Sequence, residues 1–442
     1  MPGSSFSHGS SVLVIGGGVI GLSCALSLRS RGFEVTVVDA GEMGAGASWG
    51  NGGWICPSLS GPVPAPGVVW QGIKWLLKSD SPLLVRPGLK PEVWSWLAEF
   101  ARHCNSHDFL AGLAVVGKMA ATSTSLFRAL EDRGVQFEIH RDGLLLLFRR
   151  LSSARLEMDA LTFMESLGCP RAEWTEPGQL GELEPVAGSG SLFGILAPQD
   201  EHVRPESLVS GLTGWLSANG VTLRSGVTVT RLEMRGSRAV CAFSGEGEEL
   251  EADAYVVAAG VESQSLVRSL GVHIPLLGGK GYSLTLESSA PRLVHPLYLA
   301  EARVAISPYR AGIRILGTME LGTASFAVNQ GRVAAMVRAC QRDLPRLEFR
   351  GTASSWAGMR PMVPDGLPVI GFPGRVENLV LATGHAMLGV TLAPGTGELV
   401  ADILEQRQLP EFASHLSPNR FLGRNHDRSR RSVPRVTQSR GA

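Results

Sequence analysis

The stretch that most constrains the fold lies near the amino terminus, where VLVIGGGVIGLSCALSLRSRGFEVTVVDA runs from Val12 to Ala40. A short β-branched run, Val12–Ile15, predicts a buried parallel strand. The spacing of apolar residues then predicts a helix over Val19–Leu28, and Glu34–Val38 predicts a second strand. The stretch is therefore predicted to form a β–α–β unit with a glycine-rich turn before its helix.

The turn has the G-x-G-x-x-G spacing of a dinucleotide-binding fingerprint, formed by Gly16, Gly18 and Gly21. These glycines permit a tight turn, a close approach of the backbone to a pyrophosphate, and packing of the helix on the strand. The helix, beginning at Val19, offers its free N–H groups to phosphate. Asp39 ends the second strand, where its carboxylate can accept hydrogen bonds from both ribose hydroxyls. We therefore predict a bound dinucleotide.

The residues after this unit favour FAD over NAD. A loop rich in glycine and proline, 41–67, follows where a simple NAD domain continues to a third strand, and loops of this length are usually functional. Its small residues, including Ser48, Asn51 and Gly53, suit a backbone that passes beneath a flat, extended cofactor. Towards the carboxyl terminus, ATGHAMLGVTLAPGTG predicts a strand, a glycine turn and a helix whose N-terminus can face the pyrimidine side of a flavin.

Length and composition set the remaining limits. A chain of 442 residues is expected to divide into two domains, and a net charge of +1 argues neither for nor against a polyanionic partner. The six cysteines are scattered, which fits a reducing cytoplasm better than a disulfide framework or a zinc site. We expect no metal site. We also expect no membrane span, because we find no apolar run of about 18 residues.

The other patterns predict two kinds of sheet joined by helices. Buried strands are predicted over Tyr255–Ala259 and Asn378–Thr383, and short strands between Ile274 and Leu316 predict an antiparallel sheet. Further strands are predicted over Leu144–Phe148 and Val221–Leu232, and helices within 68–133 and over Leu156–Leu167, Arg204–Ala218, Gln330–Asp343 and Gly389–Glu405. Residues 423–442 are basic and poor in apolar residues, which predicts a disordered tail.

Several motifs occur together: VIGGGVIGLSCALSLRSRG, GASWGNGG, PAPGVVWQGIKWLLKSDSPL, RPESLVSGL, VVAAG, GGKGYSLTL, GTMELG, WAGMRPMVPDGLPVIG and ATGHAMLGVTLAPGTG. The chain thereby resembles the FAD-dependent D-amino acid oxidase superfamily, and most closely its bacterial D-amino acid dehydrogenase branch. The resemblance implies an α/β fold, α+β overall. A discontinuous Rossmann-like FAD-binding domain would comprise 11–62, 200–270 and 358–415. A second substrate or cap domain, 63–199 and 271–357, would be built on an antiparallel sheet that roofs the flavin.

Three residues are candidates for the reaction itself. Arg360, in GMRPMVPDG, is predicted to hold the substrate carboxylate, because a planar guanidinium binds a carboxylate through two parallel hydrogen bonds. The family carries a carboxylate-binding arginine at the matching place. Tyr282, in KGYSLTL, is predicted to donate its hydroxyl to the same carboxylate, and His385, in TGHAMLG, to lie beside the flavin. The alternatives are a surface ion pair, a core tyrosine and a packed histidine.

The resemblance also implies contacts with the cofactor. The assigned positions are Gly384, Gly389 and Thr391 at the flavin, Val227 at the adenine, and Gly260 after the VVAAG strand. Some relatives attach flavin through a cysteine just before the arginine segment. Gly358 and Met359 occupy that region here, so noncovalent FAD is predicted.

The expected reaction is oxidative deamination of a D-amino acid. A hydride passes from the α carbon to flavin N5, and the imine hydrolyses to a 2-oxo acid and ammonia. The resemblance implies a quinone or another carrier as electron acceptor, no nucleic acid partner and a cytoplasmic location. The tryptophan-rich Val68–Phe100 and the carboxyl-terminal arginines indicate a peripheral contact with the inner membrane as a further possibility.

Three other functions stay open at this point. The first is a related oxidoreductase that acts on glycine, sarcosine or hydroxyproline. The second is a flavin-binding subunit that serves only assembly or electron transfer, although such a subunit has no need of a carboxylate-binding arginine. The third is an NAD-dependent dehydrogenase, which the absorbance of a bound flavin would exclude.

Overall fold

The computed structural model describes residues 6–76, 81–86, 90–187 and 192–422. The predicted basic tail, 423–442, lies outside these residues, so its predicted disorder stays a prediction. The helices are α1 (Val19–Ser30), α2 (Val68–Leu76), α3 (Pro91–His103), α4 (Ser106–Ala120), α5 (Ser123–Asp132), α6 (Leu151–Ser166), α7 (Pro177–Leu183), α8 (Pro205–Ala218), α9 (Ser263–Arg268), α10 (Gln330–Asp343) and α11 (Gly389–Leu404).

The strands of the amino-terminal half are β1 (Ser11–Ile15), β2 (Glu34–Val38), β3 (Trp54–Ile55), β4 (Leu83–Val85), β5 (Ile139–His140), β6 (Leu144–Phe148), β7 (Glu173–Thr175), β8 (Phe193–Ala197), β9 (Glu201–Val203) and β10 (Thr222–Arg224). Those that follow are β11 (Val229–Arg235), β12 (Arg238–Ser244), β13 (Glu249–Leu250), β14 (Ala254–Val257), β15 (Leu277–Ala290), β16 (Leu297–Leu299), β17 (Val304–Tyr309), β18 (Gly312–Leu321), β19 (Glu348–Met362), β20 (Val369–Gly371) and β21 (Leu379–Thr383).

A six-stranded sheet carries the predicted dinucleotide fingerprint. Its order is β10-β2-β1-β14-β21-β20, and all neighbours are parallel except β20, which pairs antiparallel with β21. The strands are short β-branched runs buried on both faces, as expected for a parallel sheet covered by helices. A core that includes Leu22 of α1, Val37 of β2 and Val400 of α11 joins helices to sheet.

The strand order reverses direction between β1 and β14. From β1 the chain builds outward through β2 to β10, whereas β14 and β21 lie on the other side. In open α/β sheets, ligands bind outside the carboxyl ends of the strands at such a switch point. The carboxyl ends of β1, β14 and β21 are followed by Gly16, Ala258–Gly260 and Gly384, so the predicted cofactor glycines meet at one edge.

A second, nine-stranded sheet has the order β19-β15-β18-β17-β16-β6-β8-β7, with β4 paired to β18. Neighbours are antiparallel except for the β16–β6 and β18–β4 pairs. Helix α10 packs on one face of this sheet and contributes Val333 and Met336 to its core. The predicted fold class, a Rossmann-like sheet with a second antiparallel sheet, is confirmed.

Some predicted element bounds differ from the structure. Val221–Leu232 is two strands, β10 and β11, which belong to different sheets, because Gly226 has φ of 77° and turns the chain between them. Helix α6 begins at Leu151 rather than Leu156. The sequence did not predict β19, which runs across residue 358, where one predicted domain begins. The domain bounds themselves stay a prediction.

One described helical stretch, Ser106–Asp132, is long and apolar enough to cross a membrane by length and composition. It consists of α4 and α5, which two turn residues separate, and 44% of its apolar window is buried inside the protein. Core helices pass the same test, so this stretch is weak support for a membrane span.

Candidate functional site

The glycine turn of α1 is built by close backbone contacts. A Cβ atom on Gly16, whose φ is 112°, would lie 2.5 Å from the carbonyl oxygen of Ala258. One on Gly21 would lie 1.8 Å from the carbonyl oxygen of Gly16. Gly18 is the N-cap of α1 and has no side chain to cap the helix. The helix N-terminus therefore lies against the sheet edge with room for a phosphate close to its backbone.

Ser48 and Asp39 border this N-terminus from two sides. The amide of Val19 donates to Ser48 Oγ at 3.0 Å, which brings the glycine-rich loop over α1. The carboxylate of Asp39 accepts from the amides of Gly17 and Gly41 at 2.7 and 2.8 Å. The amide of Val227 donates to the carbonyl of Asp39 at 2.8 Å, so the two residues predicted at the ribose and the adenine are neighbours.

The glycine-rich loop is fastened to the nine-stranded sheet. Arg314 of β18 donates from Nη1 to the carbonyl of Asn51 at 2.9 Å, while Ser307 and Tyr309 donate to the carbonyl of Gly52 at 2.9 and 3.0 Å. Gly53, with φ of 68°, has no room for a side chain, because its Cβ would lie 1.7 Å from the carbonyl oxygen of Val203. These contacts fix the loop between the two sheets.

A second helix N-terminus lies at the same sheet edge. Gly260 and Gly384 follow β14 and β21 with φ of 56° and 77°, and Thr383 Oγ1 donates to the carbonyl of Gly260 at 2.8 Å. Helix α11 then begins at Gly389. Thr391, in its first turn, donates from Oγ1 to the carbonyl of Trp54 at 2.9 Å, which links the helix to the glycine-rich loop.

His385 turns towards the protein interior rather than outward. Its side chain is buried, and its Nε2 lies 2.9 Å from Thr396 Oγ1. Because that hydroxyl donates to the carbonyl of Leu392, it accepts from Nε2–H. Burial lowers the pKa of His385 to about 3, so the ring is neutral at physiological pH. These contacts give His385 a packing role, and a direct role beside the flavin stays a prediction.

Arg360 lies near the end of β19, on the face of the sheet that holds the glycine-rich loop. In the register, Arg360 pairs with Gly279 and Gly358 with Gly281, so these positions share one face. Trp356 also lies on that face and packs against Gly50. Next to Arg360, the carbonyl of Pro361 accepts from the amide of Ala386 at 3.0 Å, which brings the turn before α11 close to the guanidinium.

The guanidinium of Arg360 lies directly over the backbone of β15. A Cβ on Gly281 would lie 2.2 Å from Arg360 Nη1, so only glycine fits beneath the cation. Nη1 donates to the carbonyl of Thr318 at 3.0 Å and lies 3.9 Å from Met319 Sδ. No carboxylate among the described residues forms an ion pair with Arg360, and burial lowers its pKa to about 10. Arg360 is half-buried, and a partly desolvated cation without a counterion is costly, which favours binding of an anion here.

Tyr282 is not brought together with Arg360. Its register partners, Ala357 and Gly317, put it on the opposite face of the sheet, in the core under α10. There its hydroxyl donates to Glu320 Oε2, and Arg86 donates from Nε to Glu320 Oε1. This placement corrects the geometry expected from the sequence, because alternate residues of a strand face opposite sides. The structure thus gives no support to a substrate contact by Tyr282.

Two further hydroxyls belong to the Arg360 face, and the sequence analysis did not single them out. Ser283 and Thr318 are buried, and within the described ranges their hydroxyl oxygens have no hydrogen-bond partner. Buried hydroxyls are normally paired, so unpaired ones beside a desolvated cation indicate a polar ligand. The glycines at 279 and 281 are the sequence signal that marks this face, since they allow a close approach over one side of a strand.

The two helix N-termini and the carboxylate of Asp39 lie at one edge of the six-stranded sheet, an arrangement that fits the phosphates and ribose of an extended dinucleotide. The phosphates fit the N-terminus of α1, where Gly18 leaves the backbone accessible. On the Arg360 face, Gly281 and Gly358 lie beneath the guanidinium of Arg360 and the ring of Trp356, so these two side chains would border a planar ring bound there. The residues present therefore accommodate FAD.

Comparisons with known proteins agree with this geometry. Residues 11–403 match the family model described as FAD dependent oxidoreductase. The chain is 35% identical over 421 residues to D-amino acid dehydrogenase of Methylobacterium nodulans, covering 93% of this chain and 99% of that one. Among solved structures it resembles glycine oxidase from Geobacillus kaustophilus, with a TM-score of 0.74, 22% identity, and coverage of 94% and 100%. L-proline dehydrogenase from P. horikoshii gives a TM-score of 0.74, 17% identity, and coverage of 94% and 99%.

Proposed function

Since the chain belongs to the family of FAD-dependent oxidoreductases, we propose that it oxidises a D-amino acid to the corresponding imine, which hydrolyses to a 2-oxo acid and ammonia. One observation carries the substrate class: the partly desolvated guanidinium of Arg360, which has no carboxylate partner among the described residues and lies next to the turn before α11. The name of the M. nodulans relative supports the D-amino acid as substrate.

Arg360 binds and orients the substrate in this proposal. Its Nη1 donates to the Thr318 carbonyl, so the plane of the guanidinium is fixed before the substrate binds. A fixed guanidinium can hold a carboxylate bidentately, which sets the direction of the bond from the carboxylate to the α carbon. Fixing this geometry before reaction removes orientational entropy from the barrier. The surrounding methionine side chains, including Met319, exclude water and strengthen the charge-assisted contact.

When bound, FAD supplies a two-electron acceptor for the hydride of the α carbon. The proposed cofactor residues are those of the two helix N-termini and their loops: Gly16, Gly18, Val19, Gly21, Asp39, Ser48, Asn51, Gly53, Val227, Gly260, Gly384, Gly389 and Thr391. The amides at the N-terminus of α11 would stabilise negative charge at the pyrimidine edge of the ring.

The cofactor is proposed to be noncovalent. Gly358 and Met359 precede Arg360, so no thiol is offered from that segment. The pKa values of all six cysteine thiols are raised, chiefly by burial, which keeps them protonated and poorly nucleophilic. Acid precipitation should therefore release the yellow colour into the supernatant, and colour retained in the pellet would show a covalent bond.

Electrons are proposed to pass to a quinone or another carrier at a membrane surface. The protein is proposed to be cytoplasmic and to contact this surface only peripherally. Helix α2 supports this step, because none of its residues is buried and Trp70 and Ile73 are 71% and 47% exposed. Trp94 of α3 is 61% exposed. Strand β4, on which α2 packs, pairs with β18 at Met319, so this apolar surface adjoins the substrate site. Exposed aromatic residues on short helices are typical of interfacial membrane contacts.

The decisive experiment is anaerobic reduction of the purified, FAD-loaded protein by a panel of D-amino acids, L-amino acids, glycine, sarcosine and imino acids. Rapid bleaching of the flavin absorbance by D-amino acids is the expected result. Bleaching only by glycine, sarcosine or imino acids would assign a different substrate. The absence of bleaching with every compound would support a non-catalytic flavin subunit. In air, a quinone analogue should reoxidise the flavin faster than oxygen does.

A further inference from the structure

Strand β18 departs from regular pairing where it passes Arg360. Lys280 pairs with Glu320 and Tyr282 with Gly317, so β18 has one residue more than β15 between these two pairs. The two residues in this bulge are Thr318 and Met319. Bulges are frequent next to active sites, where they redirect a side chain.

Thr318 adopts a backbone conformation that its side chain disfavours. Its φ is 58°, in the left-handed region that a β-branched residue rarely occupies. Such strain persists only where the surrounding structure imposes it, and it is concentrated at functional sites. Here the conformation accompanies the contact between the Thr318 carbonyl and Arg360 Nη1. The strained backbone therefore holds the guanidinium.

The bulge also brings the Thr318 side chain to the Arg360 face. Gly317 and Glu320 share the face of Tyr282 and Lys280, so the two residues between them lie opposite, beside Gly281. Met319 lies on this face, because its Sδ would lie 2.6 Å from a Cβ on Gly279, the register partner of Arg360. Thr318 is 8% exposed, and its Oγ1 has no partner within the described chain.

We propose that Thr318 is a substrate-binding residue, whose hydroxyl donates a hydrogen bond to the same carboxylate that Arg360 holds. This inference rests on the proposed function and deepens it. A threonine hydroxyl carries one donor, and a donor on the residue that fixes the guanidinium keeps a constant position relative to that cation. The carboxylate then receives donors from both residues, which explains why a buried hydroxyl on a strained residue has no partner among the residues that the structure describes.

The test compares two variants that differ by one hydroxyl. Thr318→Val keeps the β-branched shape and its strain but removes the donor, whereas Thr318→Ser keeps the donor. The substrate Kd and the limiting rate of flavin reduction are measured by anaerobic stopped-flow, with the D-amino acid that the wild-type protein oxidises fastest. We expect about a tenfold higher Kd for Thr318→Val, a limiting rate within about threefold, and a near wild-type Kd for Thr318→Ser. An unchanged Kd in Thr318→Val, or an equal loss in Thr318→Ser, overturns the proposal.

A third variant distinguishes a loss of substrate binding from a loss of stability. Thr318→Gly relieves the positive φ and removes the hydroxyl, so we expect an unchanged or higher Tm together with the weaker substrate binding. A lower Tm with unchanged Kd contradicts the inference. Arg360→Met in the same assay separates the proposed carboxylate site from the proposed role of Thr318. If Arg360→Met weakens binding and Thr318→Val does not, only the role of Thr318 is wrong. If Arg360→Met leaves the Kd unchanged, the proposed carboxylate site itself is wrong.

Discussion

The two faces of the nine-stranded sheet share strands β15, β18 and β19, but they differ in whether their polar side chains have charged or hydrogen-bonding partners. On the face under α10, the Tyr282 hydroxyl and Arg86 both donate to the buried carboxylate of Glu320. Burial raises the pKa of that carboxyl, but these two donors outweigh burial and lower it overall. On the other face, and among the described residues, Arg360 donates to the carbonyl of Thr318 and lies near Met319 Sδ, with no carboxylate partner, and Thr318 Oγ1 has no partner.

This difference supports the proposal that the face under α10 serves stability and that the Arg360 face serves binding. A network whose members satisfy each other can be retained for the fold alone, since every buried polar group is compensated. A desolvated cation and unpaired hydroxyls cost stability, so they are retained where a ligand pairs them. The alternation of side chains along one strand thus separates Tyr282 from the site by a single residue position.

The largest effect is expected from Arg360→Met. Loss of two charge-assisted hydrogen bonds, each contributing about 1.5–3 kcal/mol, should lower kcat/KM by roughly 10²–10⁴-fold. The Tm should stay constant or rise, because a desolvated charge has been removed. Steady-state kinetics and thermal melts measure both. Arg360→Lys is the matched control, since it keeps the charge and should lose less activity. A large fall in Tm with unchanged kcat/KM would mean that Arg360 serves the fold.

Tyr282→Phe tests the role of the face under α10. Removing the hydroxyl leaves Glu320 with one donor fewer in a buried position, so the free energy of unfolding should fall by about 1–3 kcal/mol. The substrate KM should change by less than about threefold. Thermal melts and steady-state kinetics check the two expectations. A KM that rises as in Arg360→Met would restore the substrate contact predicted from the sequence and refute the separation of the faces.

Asp200 tests a buried polar group away from the Arg360 face. It is fully buried and bonded to Ser58, and burial raises its pKa to about 7. Because the folded state holds this proton more tightly than the unfolded state, the stabilisation is complete below about pH 4 and is lost as the pH rises through 7. Asp200→Asn should therefore flatten the dependence of Tm on pH between about 4 and 7. An unaltered pH profile in the variant would show that Asp200 does not cause it.

The smallest effect is expected at the exposed surface of α2. Replacing Trp70 and Ile73 by serine removes apolar side chains that are largely exposed, so Tm and kcat/KM with a soluble acceptor should change little. Sedimentation with vesicles of anionic phospholipid should fall several-fold, because interfacial binding scales with buried apolar area. Leu156→Ser, which alters an apolar side chain that is 73% exposed on α6, is the control and should leave sedimentation unchanged. Equal sedimentation of both variants would contradict a membrane contact through α2.

Sequence alone predicted the parts of the fold that rest on local pattern. The β–α–β unit, the buried strands after it and the helix that begins at Gly389 have strong periodicity and glycine signals, and the structure confirms them. Strand β19 was not predicted, because its exposed first half alternates poorly and only its last residues are buried. The pairing of β19 with β15 is a long-range contact, and single-sequence periodicity carries no information about it.

The candidate site was likewise predicted only in part. Arg360 was identified through its motif, but the face on which each side chain lies depends on register, so Tyr282 was placed beside it. The orphan hydroxyl of Thr318 could not be predicted, since a positive φ at a threonine contradicts its propensity. Such a local conflict between residue type and backbone is expected where function, rather than folding, selects the residue.

If the Arg360 face binds a carboxylate next to the flavin, the protein should distinguish an amine that carries a carboxylate from one that does not. The most direct measurement compares anaerobic flavin reduction by D-alanine and by D-alaninamide, which differ only in whether a carboxylate is present. D-alanine should reduce the wild-type flavin at least about 100-fold more efficiently than the amide, and Arg360→Met should remove most of this preference. Equal reduction by both compounds in the wild-type protein, or a preference that survives in Arg360→Met, would show that Arg360 does not bind the substrate carboxylate.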